Sequence, residues 1–230
     1  MAIILNIDTS SKICSVALAQ DGETIVGLES GNEMDHATSL APFVKKCLNY
    51  LNENNLKLDA ISVIIGPGSY TGLRIGLSMA KGLVYGLEIP LITLSSLEVM
   101  AVRAIFTYHD FNGIETIVPM MDARRMEVYT GVFNSSLKLE LPEKPEILDE
   151  NSLEFLKEKE KVIFIGDGIE KFKPLYSYEN AIWLGNGMSH AKYMTILSEK
   201  LYKENSFSDI AYTTPRYLKE YQASQPKSKL

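Results

Sequence analysis

The chain holds two cysteines, three histidines and no apolar run approaching the ~20 residues that a membrane-spanning helix needs. Each shortage excludes something. Cys14 and Cys47 cannot build a disulfide framework; they fall in segments that read as strand and helix and are taken as reduced core thiols. His36, His109 and His190 are scattered without the i, i+4 spacing that places two imidazoles on one helix face, so no metal ligand set is expected, and no metallopeptidase or metal-dependent transferase activity. His36 stands alone at a helix start and reads as exposed or capping. Lys and Arg number 23 against 29 Asp and Glu, a net charge of −6, the wrong sign for a protein that grips a phosphate backbone unaided. The opening MAIILNIDTSS has no basic n-region and turns polar at Asn6, so it is not read as a signal peptide, and a cytoplasmic, non-membrane protein is expected. Low-complexity inserts and heptad arrays are also missing.

What the chain does have is a centre. Its 230 residues, 46% hydrophobic, suffice for two modest cores, and the stretch VIIGPGSYTGLRIGLSMAKGLVYGL (63–87) organises them. The β-branched run ISVII (61–65) reads as a buried strand ending at Gly66-Pro67-Gly68. Ser69 or Thr71 then caps a helix that ends near Gly86. At 100° per residue, Gly72, Gly76, Met79, Leu83 and Gly86 share one small, apolar face. A strand, a glycine turn and a helix N-terminus make an anion site, yet the Lys-Ser/Thr of a Walker loop is absent and the glycines are too widely spaced for a dinucleotide fingerprint. Ser69 also sits one position early for a nucleophile elbow. Tight strand–helix packing, or close approach of another helix, are the other readings of these glycines.

Taken in order, strands are expected over 3–7, 13–19 and 23–30, with Asp8, Thr9 and Ser10 at the first bend. There they either cradle phosphate or satisfy turn backbone. Residues 36–52 carry Leu40, Phe43, Val44, Cys47, Leu48 and Leu51 at helical spacing, with Pro42 placing the regular start near Leu40 or Ala41. A short strand over 89–93 leads into a helix from Ser95. In the second half, strands over 116–121 and 127–133 flank Asp122-Ala123-Arg124-Arg125, a solvated charged turn. Pro142–Pro145 reads as a loop, Ser152 as the cap of a charged helix, 162–165 and 181–184 as strands, and 189–201 as a helix. The tail from Gln222 is expected to fray.

ILNIDTSSKICSVAL, GPGSYTGLRIGLSMAKGL, MMDARRMEVYTGVF and the closing PRYLK, in this order, resemble the TsaB (YeaZ) family, non-catalytic paralogues of the tRNA threonylcarbamoyladenosine synthase TsaD. The resemblance implies an α/β, two-lobed actin-like (ASKHA-class) fold of duplicated ribonuclease-H-like halves, here residues 1–105 and a smaller 106–230. It implies no catalytic residues and no metal: the two metal histidines of TsaD align with Ser96 and Met100. It implies a partner surface on two helices, from Leu40, Phe43, Val44 and Cys47 on one and from Gly72, Leu73, Arg74, Gly76, Met79 and Leu83 on the other. TsaD docks there, or a second copy when TsaD is absent; TsaE and tRNA are reached through the complex. No cofactor is bound firmly, with ATP or ADP in the complex at most, and Asp8, Thr9, Ser10, Gly66, Gly68 and Ser69 form a vestigial nucleotide site. Leucine at Gly76 is expected to block docking and spare the fold. The alternatives are an ATP-hydrolysing actin-like enzyme working from Asp8, Thr9 and Ser10, and a serine-type peptidase using Ser69.

Overall fold

Strand Ile3–Asp8 (β1) sets Ile3, Leu5 and Ile7 on one face and Ile4, Asn6 and Asp8 on the other, and all six residues are buried at the centre of a sheet. The computed structural model describes residues 2–31, 35–108, 110, 112–177 and 179–219; His109 and the tail from Gln222 lie outside them. Ser15–Gln20 (β2) returns antiparallel to β1, and Glu23–Glu29 (β3) follows through Asp21 and Gly22, both at positive φ, as a two-residue hairpin turn requires. On the other side of β1, Ala60–Gly66 (β4) and Leu91–Ser95 (β5) run parallel, giving the order β3-β2-β1-β4-β5. The second sheet is built from Ile114–Asp122 (β6), Glu127–Asn134 (β7), Leu139–Ile147 (β8), Lys161–Ile165 (β9) and Ala181–Trp183 (β10). Its order, β10-β9-β6-β7-β8, repeats that of the first: two antiparallel neighbours on one side of the leading strand and two parallel ones on the other. Two mixed sheets flanked by helices are consistent with the actin-like class.

Helices His36–Glu53 (α1) and Tyr70–Leu87 (α2) cover one face of the first sheet, burying Leu40, Val44, Cys47 and Leu51 with Leu77, Ala80 and Val84 against β1 and β4. Ser96–Thr107 (α3) lies between the sheets. Its Leu97, Met100, Ala101 and Ala104 pack with β6 and β9, while Val99 and Val102 pack with Ile64 and Leu94 of the first lobe. Helix Thr195–Lys203 (α5) closes the other face of the first sheet; the four-residue helix Ile169–Phe172 (α4) packs on the second. The first sheet ends at Ser95 and the second begins at Ile114, but the chain recrosses. Ala191 N donates to Ser15 Oγ at 3.0 Å, Ser208 N to the Leu91 carbonyl at 2.8 Å and Arg216 N to that of Ile65 at 2.7 Å. No described helix is long and apolar enough to cross a membrane.

Several local expectations need correction. Pro142 and Pro145 lie inside β8, an edge strand bonded only to β7, where the proline that lacks an N–H can face outward. Residues 154–158 form a 3-10 turn with only Leu156 buried, because SLEFLKEKEK has no apolar stripe to seat a longer helix; Ser152 accepts from Asp149 N at 2.8 Å and does not cap it. Residues 189–201 split into a 3-10 turn at Ala191–Tyr193, capped by the His190 ring, and α5. α1 starts at His36, earlier than Pro42 suggests, with Pro42 on its exposed side.

The glycines of α2 work inside the chain. A Cβ on Gly72 would overlap the Thr9 carbonyl oxygen, and one on Gly76 would overlap Thr9 Oγ1; Gly82 and Gly86 face open space. Leucine at Gly76 therefore strikes the chain's own β1–β2 turn, and the expectation that it spares the fold is reversed. Gly72→Ala is predicted to cost more than Gly76→Ala, the latter about 1–3 kcal/mol, because backbone yields less than a hydroxyl. Gly82→Ala is predicted to stabilise by up to about 1 kcal/mol; urea denaturation gives the order. Cys14 and Cys47 are fully buried, and burial pushes their thiols up, Cys14 to about 12 with the nearby Asp8 charge adding to the rise, and Cys47 to about 11. Ellman's reagent at pH 8 should find no thiol in the native protein and two after denaturation.

Candidate functional site

A cleft of about 1360 Å³ opens between the lobes, lined by Ser10 and Lys12, the glycine turn, the Asp122–Arg125 turn, Asp167 and the closing residues 216–219. Of the sequence-predicted nucleotide residues, Ser10, Gly68 and Ser69 line it, and the polar groups of the first bend are bonded within the chain. Asp8 is fully buried; its Oδ1 accepts from Ser10 N at 2.8 Å and Ser10 Oγ at 2.6 Å, and Ser10 Oγ meets Ser189 Oγ at 2.8 Å. Thr9 Oγ1 donates to the Gly72 carbonyl at 2.7 Å, Ser69 N to that of Ser10 at 2.7 Å, and Ser69 Oγ accepts from Gly72 N at 3.2 Å as the cap of α2. Gly68 lies against Ser10, and Gly66 against Arg216. The arrangement welds the first bend to the glycine turn. Among the described residues, Asp8 Oδ2, Asn6 Oδ1 and Ser62 Oγ are buried and have no partner; Asn6 and Ser62 are register neighbours across β1 and β4.

The opposite wall is charged. Asp122 N donates to Asp167 Oδ1 at 2.7 Å, and the Asp122 carboxylate pairs with Lys171 at 2.7 Å. Burial alone would raise the Asp122 carboxyl, but Lys171 and the Arg124 N–H hold it below the usual range; burial raises that of Asp167. Arg124 and Arg125 are exposed at the hairpin tip, with φ of 69° and 52°. Ser96 Oγ donates to the Pro67 carbonyl at 2.5 Å, and Met100 fills the core between the lobes, so both positions are occupied by packing. Among the described residues no three His, Cys, Asp or Glu gather into a metal ligand set.

His36 overturns its reading. It is 3% exposed, the first residue of α1, with Asp35 before it at the N-cap; its ring lies against the space that a Gly72 side chain would take, and neither ring nitrogen has a partner among the described residues. Ser69 lies across the same space but spends its hydroxyl on the cap.

Of the ten residues expected at a partner surface, Leu40, Val44, Cys47, Gly72, Leu73 and Gly76 are buried within the chain. Arg74, Met79 and Leu83 remain at the surface, where with Ile75, Ser78 and Gly82 they line an open groove of about 580 Å³ along α2; Phe43 is half-buried on α1. The small face thus points inward through Gly72 and Gly76, and the outward face lies beside it. Helical spacing could not separate the two, because only the position of Thr9 decides which glycines are covered.

No local pattern points to Glu143, nor to the hold that residues 215–219 take on both lobes. Arg216 pairs with Glu143, whose other oxygen accepts from Ser95 Oγ, and Tyr217 OH accepts from Arg74 Nε at 2.9 Å, 143 positions away. Only the Pro-Arg-Tyr motif marked the segment.

The family model described as TsaD, tRNA N6-adenosine threonylcarbamoyltransferase, matches residues 32–227. The chain is 34% identical over 224 residues to the tRNA threonylcarbamoyladenosine biosynthesis protein TsaB of Bacillus subtilis, covering 94% of this chain and 93% of that protein. It is 30% identical over 227 residues to the protein of the same description from Escherichia coli, covering 94% of each. The solved structure of YeaZ from Pseudomonas aeruginosa superposes with a TM-score of 0.75 at 26% identity, over 95% of this chain and 100% of that one. Agreement of this extent, in sequence and in fold, makes the chain a member of the TsaB (YeaZ) family, homologous to TsaD.

Proposed function

We propose that the chain is a non-catalytic partner that binds a TsaD-type threonylcarbamoyltransferase and holds it competent to form N6-threonylcarbamoyladenosine at position 37 of tRNA. The observation that carries this reading, within a family whose members are described as threonylcarbamoyladenosine biosynthesis proteins, is the open groove along α2. Ile75, Met79 and Leu83 offer apolar surface there, and Gly82 lets a second helix approach closely. Tyr85 and Leu87, 82% and 47% exposed, continue that surface at the end of the helix. The same face serves a second copy when the transferase is absent, and tRNA and TsaE join through the complex. The internal hydrogen bonds of the Thr9 and Ser10 hydroxyls and of the Ser69 N–H support this reading over nucleotide hydrolysis or peptidase chemistry by the isolated chain, and any ATP or ADP is held by the assembly. The matching strand orders support taking the lobes as a ribonuclease-H-like duplication, residues 1–105 and a trimmed 106–230 whose last segment returns to the first lobe.

Co-purification with the same organism's TsaD, scored by size-exclusion and light scattering, tests it. The wild type should form a stoichiometric complex. Gly82→Leu, which meets open space in the free chain, should keep the melting temperature and weaken the complex at least about tenfold, about 1.4 kcal/mol. A wild type that ignores folded TsaD would sink the proposal.

A further inference from the structure

Pro215–Lys219 runs along the cleft and is fastened to a different lobe on each side. Toward the first lobe, Arg216 N donates to the Ile65 carbonyl at 2.7 Å, and its own carbonyl fills the space that a Gly66 side chain would need. The Tyr217 ring stacks on Tyr70 at 4.9 Å, and its hydroxyl accepts from Arg74 Nε at 2.9 Å, with the Arg74 guanidinium 4.1 Å from the centre of the Tyr70 ring. Toward the second lobe, the Arg216 guanidinium pairs with Glu143 of β8, whose side chain is 4% exposed, and Lys219 pairs with Glu127 of β7 at 2.5 Å. Helix α3 is packed into both lobes, so α3 is the pivot and residues 215–219 are a tie between them.

Arg74 belongs to two structures at once. It lines the α2 groove, and it holds the tie through Tyr217. A guanidinium binds a carboxylate through paired, charge-assisted hydrogen bonds that a phenol cannot match. Tyr217 holds Arg74 at Nε, so a partner helix that brings a carboxylate onto the Nε edge of Arg74 along the groove competes with Tyr217 for it. We propose that residues 215–219 form a strap coupling the α2 groove to the hold between the lobes, so that a docked partner bearing a carboxylate opposite Arg74 releases Tyr217 and slackens the strap. The coupling is reciprocal: whatever slackens the strap from its far end favours docking. The inference rests on the groove being the partner surface.

Hydrogen–deuterium exchange on the full chain, alone and saturated with TsaD, reads the strap directly. Saturation should speed exchange over residues 216–219 about tenfold or more. Lys219→Ala loosens only the second-lobe end and lies off the groove; it should speed the same amides in the free chain and tighten TsaD binding about fivefold, at the lower end of usual coupling. Slower or unchanged strap exchange in the complex, or a Lys219→Ala affinity equal to or weaker than wild type, overturns the coupling. If the wild type fails to bind TsaD at all, the partner reading fails, and the strap is judged on the free chain. There Arg74→Ala, at an exposed position, must speed exchange at Tyr217 and around Glu143 without lowering the melting temperature by more than a few degrees; no change at either place overturns the strap as well.

Discussion

The approach of α2 to the bend between β1 and β2 sets the geometry of the first lobe. Gly72 and Gly76 present bare backbone to Thr9, and Gly68 does the same to Ser10, so two segments some sixty positions apart meet without a side chain between them. Close contact then permits hydrogen bonds that would otherwise be out of reach: the Thr9 hydroxyl on the Gly72 carbonyl, and the Ser69 amide on the Ser10 carbonyl. His36 fits because Gly72 leaves room for its ring. Polar groups at the mouth of an anion-friendly turn are thereby converted into internal fastenings. The bend and the glycine turn are thereby held together along the inner side of α2.

The second organising element is α3, whose exposed residues, Phe106 and Thr107, are confined to its last turn. Seven of its twelve residues are buried, some against each sheet. A helix shared in this way cannot leave one lobe without baring apolar surface of the other. The contacts of Arg216, Tyr217 and Lys219 make a second tie across the cleft.

Where structure follows from nearest neighbours, it was readable in the chain. The strand–glycine–helix unit, the Ser69 cap, the apolar stripe of residues 40–51 and the Asp21-Gly22 hairpin all follow from local stereochemistry, and the four motifs carried the family. Misreadings came where a partner distant in sequence decides the outcome. Pro142 and Pro145 suggest a loop until β7 supplies a strand to pair with. His36 looks peripheral until α2 is laid across it. Gly76 and Gly82 look alike on a helical wheel, yet one touches Thr9 and the other touches nothing. Glu143 lies in a charged segment typical of solvent, and only the tertiary fold buries it against Arg216.

Strand β8 has a consequence for how copies of the chain meet. An open sheet edge is a template for further strands, and long flat edges lead to uncontrolled aggregation. This edge carries two prolines that cannot donate to a neighbour, and the exposed Glu140 and Lys144 add charge to it. Two such edges brought together could form only an interrupted ladder. At this edge, growth of the second sheet by strand addition is thereby disfavoured, as its prolines break the ladder that a further strand would need.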